Sequence, residues 1–143
     1  TFSKAYGLAA LRVGYAFAHP DITNVLNRVR QPFNVNALAL RAAVAALGDQ
    51  SFVARARSLN AEGMVQLTEG VVAMGLGFIP SRGNFLCIDL RRPGQPVYEA
   101  LLRQGVIVRP VTNYGMPDFL RVTIGTKAEN ERFLTALKTV LSS

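Results

Sequence analysis

The stretch from residue 50 to about residue 74 constrains the fold more than any other part of the chain. Phe52, Ala56, Leu59, Leu67, Val71 and Val72 keep helical spacing across it, with Val53 and Met64 alongside. Gly48-Asp49 can end one helix and cap the next, and Gly75-Leu-Gly77 closes the run. A helix of about twenty-five residues measures about 37 Å, long enough to link a larger body to a smaller one. Gly63 and Gly70 weaken it locally and permit bending. The chain therefore reads as two parts, residues 1–49 before the connector and residues 50–143 including it.

Before the connector, Val13-Gly-Tyr-Ala-Phe-Ala18 is short, apolar and closed by His19-Pro20. That pattern predicts a buried strand, with His19 capping its end rather than catalysing. Asp21 offers an N-cap to a helix on which Ile22, Val25, Leu26 and Val29 share a face, with Arg28 and Arg30 near the end where cations suit the dipole. After a break at residues 31–36, residues 37–47 are apolar on nearly every side, which predicts a buried helix. Beyond the connector, Phe78-Ile79 and residues 84–90 read as strands separated by Pro80-Ser-Arg-Gly83. Val97, Tyr98, Leu101 and Leu102 make one face of a short helix that Gly105 stops. Residues 106–111 and 119–125 read as two further strands. Thr126-Lys-Ala-Glu129 is a capping box for a last helix with Phe133, Leu134, Leu137 and Val140 in one apolar stripe. Strands and helices alternating in this way make an α/β fold.

The chemistry concentrates in the first fifteen residues. Lys4 lies between the hydroxyls of Thr1 and Ser3 on one side and Gly7, Arg12 and Gly14 on the other. An amine of this kind attacks a carbonyl, and hydroxyls with a cation hold the phosphate of a phosphorylated cofactor. Gly7 lets the chain turn after the lysine, and Gly14 admits a close backbone neighbour. Two plainer readings compete. A Ser-Lys hydrolase pair is disfavoured because adjacent residues on an extended chain point opposite ways. A lysine simply solvated in a turn is the other.

Thr1-x-Ser-Lys4-x-x-Gly7-x-x-x-x-Arg12-x-Gly14 resembles the pyridoxal-phosphate lysine motif of class I/II aminotransferases, and its fuller wording is most similar to the histidinol-phosphate aminotransferase group. The resemblance implies pyridoxal 5'-phosphate as cofactor, Lys4 as the amine that carries it and then moves a proton, and Thr1, Ser3 and Arg12 around its phosphate. Ala10 stands where many relatives have glycine. It implies the C-terminal part of a fold type I transferase: residues 1–49 the end of the large cofactor domain, residues 50–143 the connecting helix and small domain. The groups that meet the pyridine ring are then expected upstream of Thr1, and a homodimer is implied, with the Pro32-Phe33-Asn34 loop near its interface. Because the chain opens inside the motif without a methionine, a longer parent is expected, and these residues alone are expected to be inactive.

Arg109 and Arg121 form the second informative pair, each a lone cation in an otherwise apolar strand. Arginine there is costly unless an anion meets it, and its planar fork suits carboxylate or phosphate. Pairing with a core Asp or Glu is the structural alternative, although few carboxylates lie nearby in sequence. Val-Ile-Val-Arg109-Pro and Leu-Arg121-Val-Thr-Ile-Gly-Thr resemble the same group, which implies that both arginines bind the phosphate and α-carboxylate of substrates. Asn84, in Gly-Asn-Phe, resembles a position near the substrate, or is a turn amide bonding its own backbone. Tyr114, between the arginines, reads as loop cover more readily than as a ligand. The implied reaction exchanges histidinol phosphate and 2-oxoglutarate for imidazole acetol phosphate and glutamate. Aromatic aminotransferases, phosphothreonine decarboxylases and transcription regulators with an aminotransferase-like sensor domain share much of the lysine motif, the last needing a helix-turn-helix upstream.

Composition narrows the remaining classes. Half the residues are apolar, enough for a sizeable core. No apolar run reaches a membrane span, and the first residues lack a signal-peptide pattern. The net charge of +7 comes from 16 dispersed basic residues whose longest cluster is Arg91-Arg92, so nucleic-acid binding is not expected. Cys87 has no partner in the chain, which fits a reducing, cytoplasmic setting, and with His19 as the only histidine no metal site is expected.

Overall fold

The fold is that of a computed structural model whose described residues are 1–142. It divides into two compact units, residues 1–57 and the residues from 58 onward, the long helix contributing to both. In the first unit, α1 (Pro20–Val29) and α2 (Ala37–Gly48) follow an irregular N-terminal segment. The long helix α3 (Gln50–Ala73) is continuous over the expected stretch. The second unit adds β1 (Gly77–Ile79), β2 (Phe85–Asp89), α4 (Gly94–Arg103), β3 (Arg109–Val111), β4 (Met116–Thr123) and α5 (Lys127–Leu141).

Three expectations for the first unit are corrected. Residues 13–18 are not a strand: among the described residues no ladder forms on them, Val13 alone accepting a backbone bond, from the Phe2 N–H, and Tyr15 and Phe17 are 63% and 91% exposed. A β-former run becomes a strand only where another strand meets its backbone, and none of the four strands lies in this unit. His19 caps a helix instead, its Nδ1 accepting from the Asp21 N–H at 3.4 Å, with Pro20 in the first turn. Finally, α2 forms where expected, capped by Asn36, but only Ala39 and Ala43 are buried while Leu38 and Val44 are exposed. An apolar pattern reports a surface that favours cover and does not by itself supply the neighbour that gives it.

Asp49 caps α3 as the sequence predicts, its carboxylate accepting from the Phe52 N–H at 2.9 Å and the Ser51 hydroxyl at 2.8 Å. Those two bonds hold its carboxyl below the ordinary carboxylate range.

The second unit is a four-stranded antiparallel sheet in the order β1-β2-β4-β3. Leu86 faces Val122 and Ile88 faces Leu120 across β2 and β4, and all four are buried. They form one core with Leu67 and Val71 of α3, Val97 and Leu101 of α4, and Phe133 and Leu137 of α5. The strand alternation therefore sends the intervening residues, Phe85, Cys87 and Arg121, to the opposite face.

At Gly63 and Gly70 of α3, α5 and its approach come closest. A Cβ on Gly63 would lie 2.6 Å from Ile124 Cγ2, and one on Gly70 would lie 2.5 Å from Leu134 Cδ1. The same crossing holds the one buried polar side chain among the described residues, Asn130. Its amide donates to Gln66 Oε1 at 3.1 Å and to the Gly125 carbonyl at 3.2 Å, and its Oδ1 accepts from the Gly125 N–H at 3.0 Å. Every group is satisfied, as burial demands. The capping box is present, with Thr126 and Glu129 bonded reciprocally at the start of α5.

Candidate active site

The N-terminal segment folds back on itself, bringing Thr1 against Gly14 and linking the Thr1 and Ser3 hydroxyls. Phe2 is buried, and its N–H donates to the Val13 carbonyl at 3.1 Å, which sets Thr1 and Ser3 beside Arg12 and Gly14. A Cβ on Gly14 would stand 3.2 Å from Thr1 Cα, so a side chain there would push the two segments apart. The Leu8 N–H donates to the Phe2 carbonyl at 2.9 Å, closing the loop between. At its tip the Gly7 N–H donates to the Lys4 carbonyl at 2.9 Å, and Gly7 has φ +70°, a conformation natural to glycine. Lys4 thus stands exposed on a bend.

Around that bend the hydroxyls are organised. Thr1 Oγ1 donates to Ser3 Oγ at 3.0 Å and accepts from the Ser3 N–H at 3.2 Å. Arg12 has φ 54°, the left-handed region that disfavours side chains, and its guanidinium donates to the Ala9 carbonyl at 2.7 Å. Among the described residues no Asp or Glu carboxylate lies within ion-pair distance of Arg12. Two hydroxyls and an arginine without an acidic partner are a donor set that fits a phosphate monoester. An amine next to Ser3 and three residues from Thr1 fits a carbonyl group on the same molecule.

The second group of residues lies on the sheet face opposite the core. Arg109 and Arg121 are directly opposed across β3 and β4, and Cys87 opposes Arg121 on the other side. The sequence places both arginines in strands that read as core; in the structure Arg109 is exposed and Arg121 half-buried, because each strand presents its core residues to one side only. Like charges directly opposite across a ladder destabilise a sheet. Neither arginine makes an ion pair among the described residues, so the expected alternative of a core carboxylate partner is not what holds them. Burial pushes the Cys87 thiol up, against a smaller downward pull from Arg121.

Asn84 precedes β2, and its carbonyl accepts from the Ile124 N–H at 2.9 Å. The turn before it is stabilised by Ser81, whose Oγ accepts from the Gly83 N–H at 3.0 Å. Tyr114, in a short 3-10 turn at Thr112–Tyr114, is 60% exposed. Sequence reading did not find that Phe85 lies beneath Arg121, the guanidinium carbon standing 5.1 Å from the ring centroid. The period-two alternation of residues 84–90 was the available signal, because it puts Phe85 and Cys87 on one face.

The family model for aminotransferase class I and II matches residues 1–137, from the lysine loop through most of α5. The chain belongs to the class I and II aminotransferases. It is 63% identical over 142 residues to histidinol-phosphate aminotransferase 2 of Pseudomonas fluorescens, covering 99% of this chain and 38% of that protein. The chain thus spans well under half the length of that relative. Among solved structures, histidinol-phosphate aminotransferase from Sinorhizobium meliloti, in complex with pyridoxal-5'-phosphate, superposes with a TM-score of 0.89 at 27% identity, over 99% of this chain and 40% of that one. L-threonine-O-3-phosphate decarboxylase from Porphyromonas gingivalis superposes with a TM-score of 0.86 at 26% identity, over 100% and 46%. This aminotransferase segment therefore has the fold type I architecture expected of it, with a mixed α/β composition and an antiparallel sheet.

Proposed function

We propose that this chain is the lysine-bearing portion of a pyridoxal-phosphate-dependent aminotransferase that acts on histidinol phosphate and 2-oxoglutarate. The observation that carries the reading is the fold-back pinned by the Phe2 to Val13 hydrogen bond, which gathers Thr1, Ser3, Lys4, Arg12 and Gly14 into one loop. The 63% identity to the Pseudomonas fluorescens enzyme supports the substrate. The cofactor, when bound, supplies the electron sink that lets a Cα–H bond ionise. In this chain Thr1 and Ser3 donate hydroxyl hydrogens to its phosphate and Arg12 adds a fixed positive charge. Lys4 Nζ would be the amine that holds the cofactor, and the same amine, when free, would be the base and acid that moves a proton at the substrate Cα.

Arg109 and Arg121 bind the anionic groups of both substrates, the α-carboxylate of glutamate and the phosphate of histidinol phosphate, with Asn84 at the edge of the same region. An arriving anion relieves the repulsion between the two opposed cations, so substrate binding and the electrostatics of the sheet are coupled. The parent acts as a cytoplasmic homodimer whose upstream residues meet the pyridine ring. A phosphothreonine decarboxylase is the second reading, favoured by the likeness to the Porphyromonas gingivalis enzyme; release of carbon dioxide from phosphothreonine separates the two.

The test is reductive trapping. Full-length protein mixed with pyridoxal phosphate and borohydride should carry the label on the peptide containing Lys4, and Lys4→Ala should carry none there. An unchanged label in that variant removes Lys4 from the mechanism. Arg121→Ala should raise KM for glutamate and for histidinol phosphate together.

A further inference from the structure

The geometry points to Phe85 as a positioning residue for Arg121: its ring fixes the plane of the guanidinium and thereby sets the affinity for a carboxylate. This rests on the assignment of Arg121 as a substrate anion ligand. Phe85 is 36% exposed on the sheet face away from the core, so an aromatic ring is not required there to fill the interior. The ring lies beneath Arg121 at 5.1 Å, within the range where a delocalised cation is attracted to a π face. It is diagonal to Arg121 in the ladder, since Phe85 opposes Thr123 and Cys87 opposes Arg121.

The ring is itself held in place. The ring edge lies beside the Gly83 backbone, close enough that an added Cβ there would only just touch it. The Gly83 carbonyl accepts from Asn60 Nδ2 of α3 at 3.2 Å, and its N–H donates to Ser81 Oγ, so the turn beneath the ring is tied at both ends. Arg121 needs such a support because its cross-strand neighbour Arg109 repels it. A guanidinium free to rotate meets a carboxylate through one N–H at a time; one lying on a ring keeps its fork in a fixed plane and can offer two parallel N–H groups. Phe85 therefore contributes to substrate affinity without touching the reacting atoms.

The test uses the full-length holoenzyme and glutarate, a dicarboxylate with no amine to react. Phe85→Leu should weaken glutarate binding by calorimetry about three- to fivefold, the scale of a half-exposed cation–π contact. KM for glutamate should rise by the same factor with kcat little changed, and the absorbance of the bound cofactor should stay as in the parent. Phe85→Met, which keeps bulk but not the ring, should behave like Phe85→Leu and serves where that variant fails to fold, while Phe85→Tyr should restore binding. Unaltered glutarate affinity in the Leu and Met variants, with a clear loss in Arg121→Gln, overturns the role given to Phe85 alone. Unaltered affinity in Arg121→Gln overturns the arginine assignment and this inference with it. Failure of Phe85→Tyr to restore binding in a folded protein also overturns it.

Discussion

Replacing Gly63 by alanine tests whether the crossing of α3 with α5 is as tight as it looks. The added Cβ would stand 2.6 Å from Ile124 Cγ2, 2.8 Å from Asn130 Nδ2 and 3.2 Å from the Gly125 carbonyl. None of these groups yields easily: Ile124 is buried, and Asn130 is 2% exposed and held by three hydrogen bonds. Overpacking at such a site costs about 1–3 kcal/mol, and displacing a buried amide bond adds about 1 kcal/mol. Alanine returns about 1 kcal/mol of helix propensity. The net expectation is a loss of about 1–3 kcal/mol. Gly70→Ala is the internal control, because its closest neighbours are the ends of the half-buried Leu134 side chain, 2.5 and 2.7 Å away, which can rotate. That change should stay within about 0.5 kcal/mol of the parent. The assay is amide hydrogen exchange at Leu67 and Val71 in the full-length protein, where about 1.4 kcal/mol reads as about tenfold lower protection. Equal or higher protection in Gly63→Ala, or a larger loss in Gly70→Ala, would refute the packing argument.

Three further outcomes follow from the same residues. Asn130→Leu should destabilise by about 2–3 kcal/mol in urea unfolding, because it leaves the Gly125 N–H and Gln66 without their partner. Glu129 is held below its ordinary value of 4.5 by the Thr126 N–H and then by the Thr126 hydroxyl. Its depressed pKa means that its contribution is fully present above that value and is lost as pH falls through the lower, folded-state value. Exchange protection in the first turn of α5 should therefore fall with acid in the parent, while Glu129→Gln should start low and show no such step. Arg12→Gly should relieve backbone strain of about 1 kcal/mol, leaving thermal stability level or higher, yet weaken retention of pyridoxal phosphate on dialysis; unchanged retention would remove Arg12 from the phosphate site.

The sequence by itself determined the local elements of the second unit and the family. The 3.6-residue spacing of α3, the Thr126–Glu129 capping box and the stops at Gly75 and Gly105 depend on neighbours within a few residues, and all stand where the sequence puts them. The lysine motif was equally legible, because its residues lie within one loop. What the tertiary structure decided were relations between distant segments. The sequence pattern of residues 13–18 asks for a strand, yet strand formation depends on a partner's backbone, and among the described residues no ladder forms on the segment. Arg109 and Arg121 look like core cations one at a time; only the register of β3 against β4 shows them opposed, outside the core, and only the register of β2 brings Phe85 beneath one of them. The glycines of α3 looked like weak points in a helix and proved to be its contact surface, since the space a missing side chain leaves has meaning only once α5 and its approach fill it.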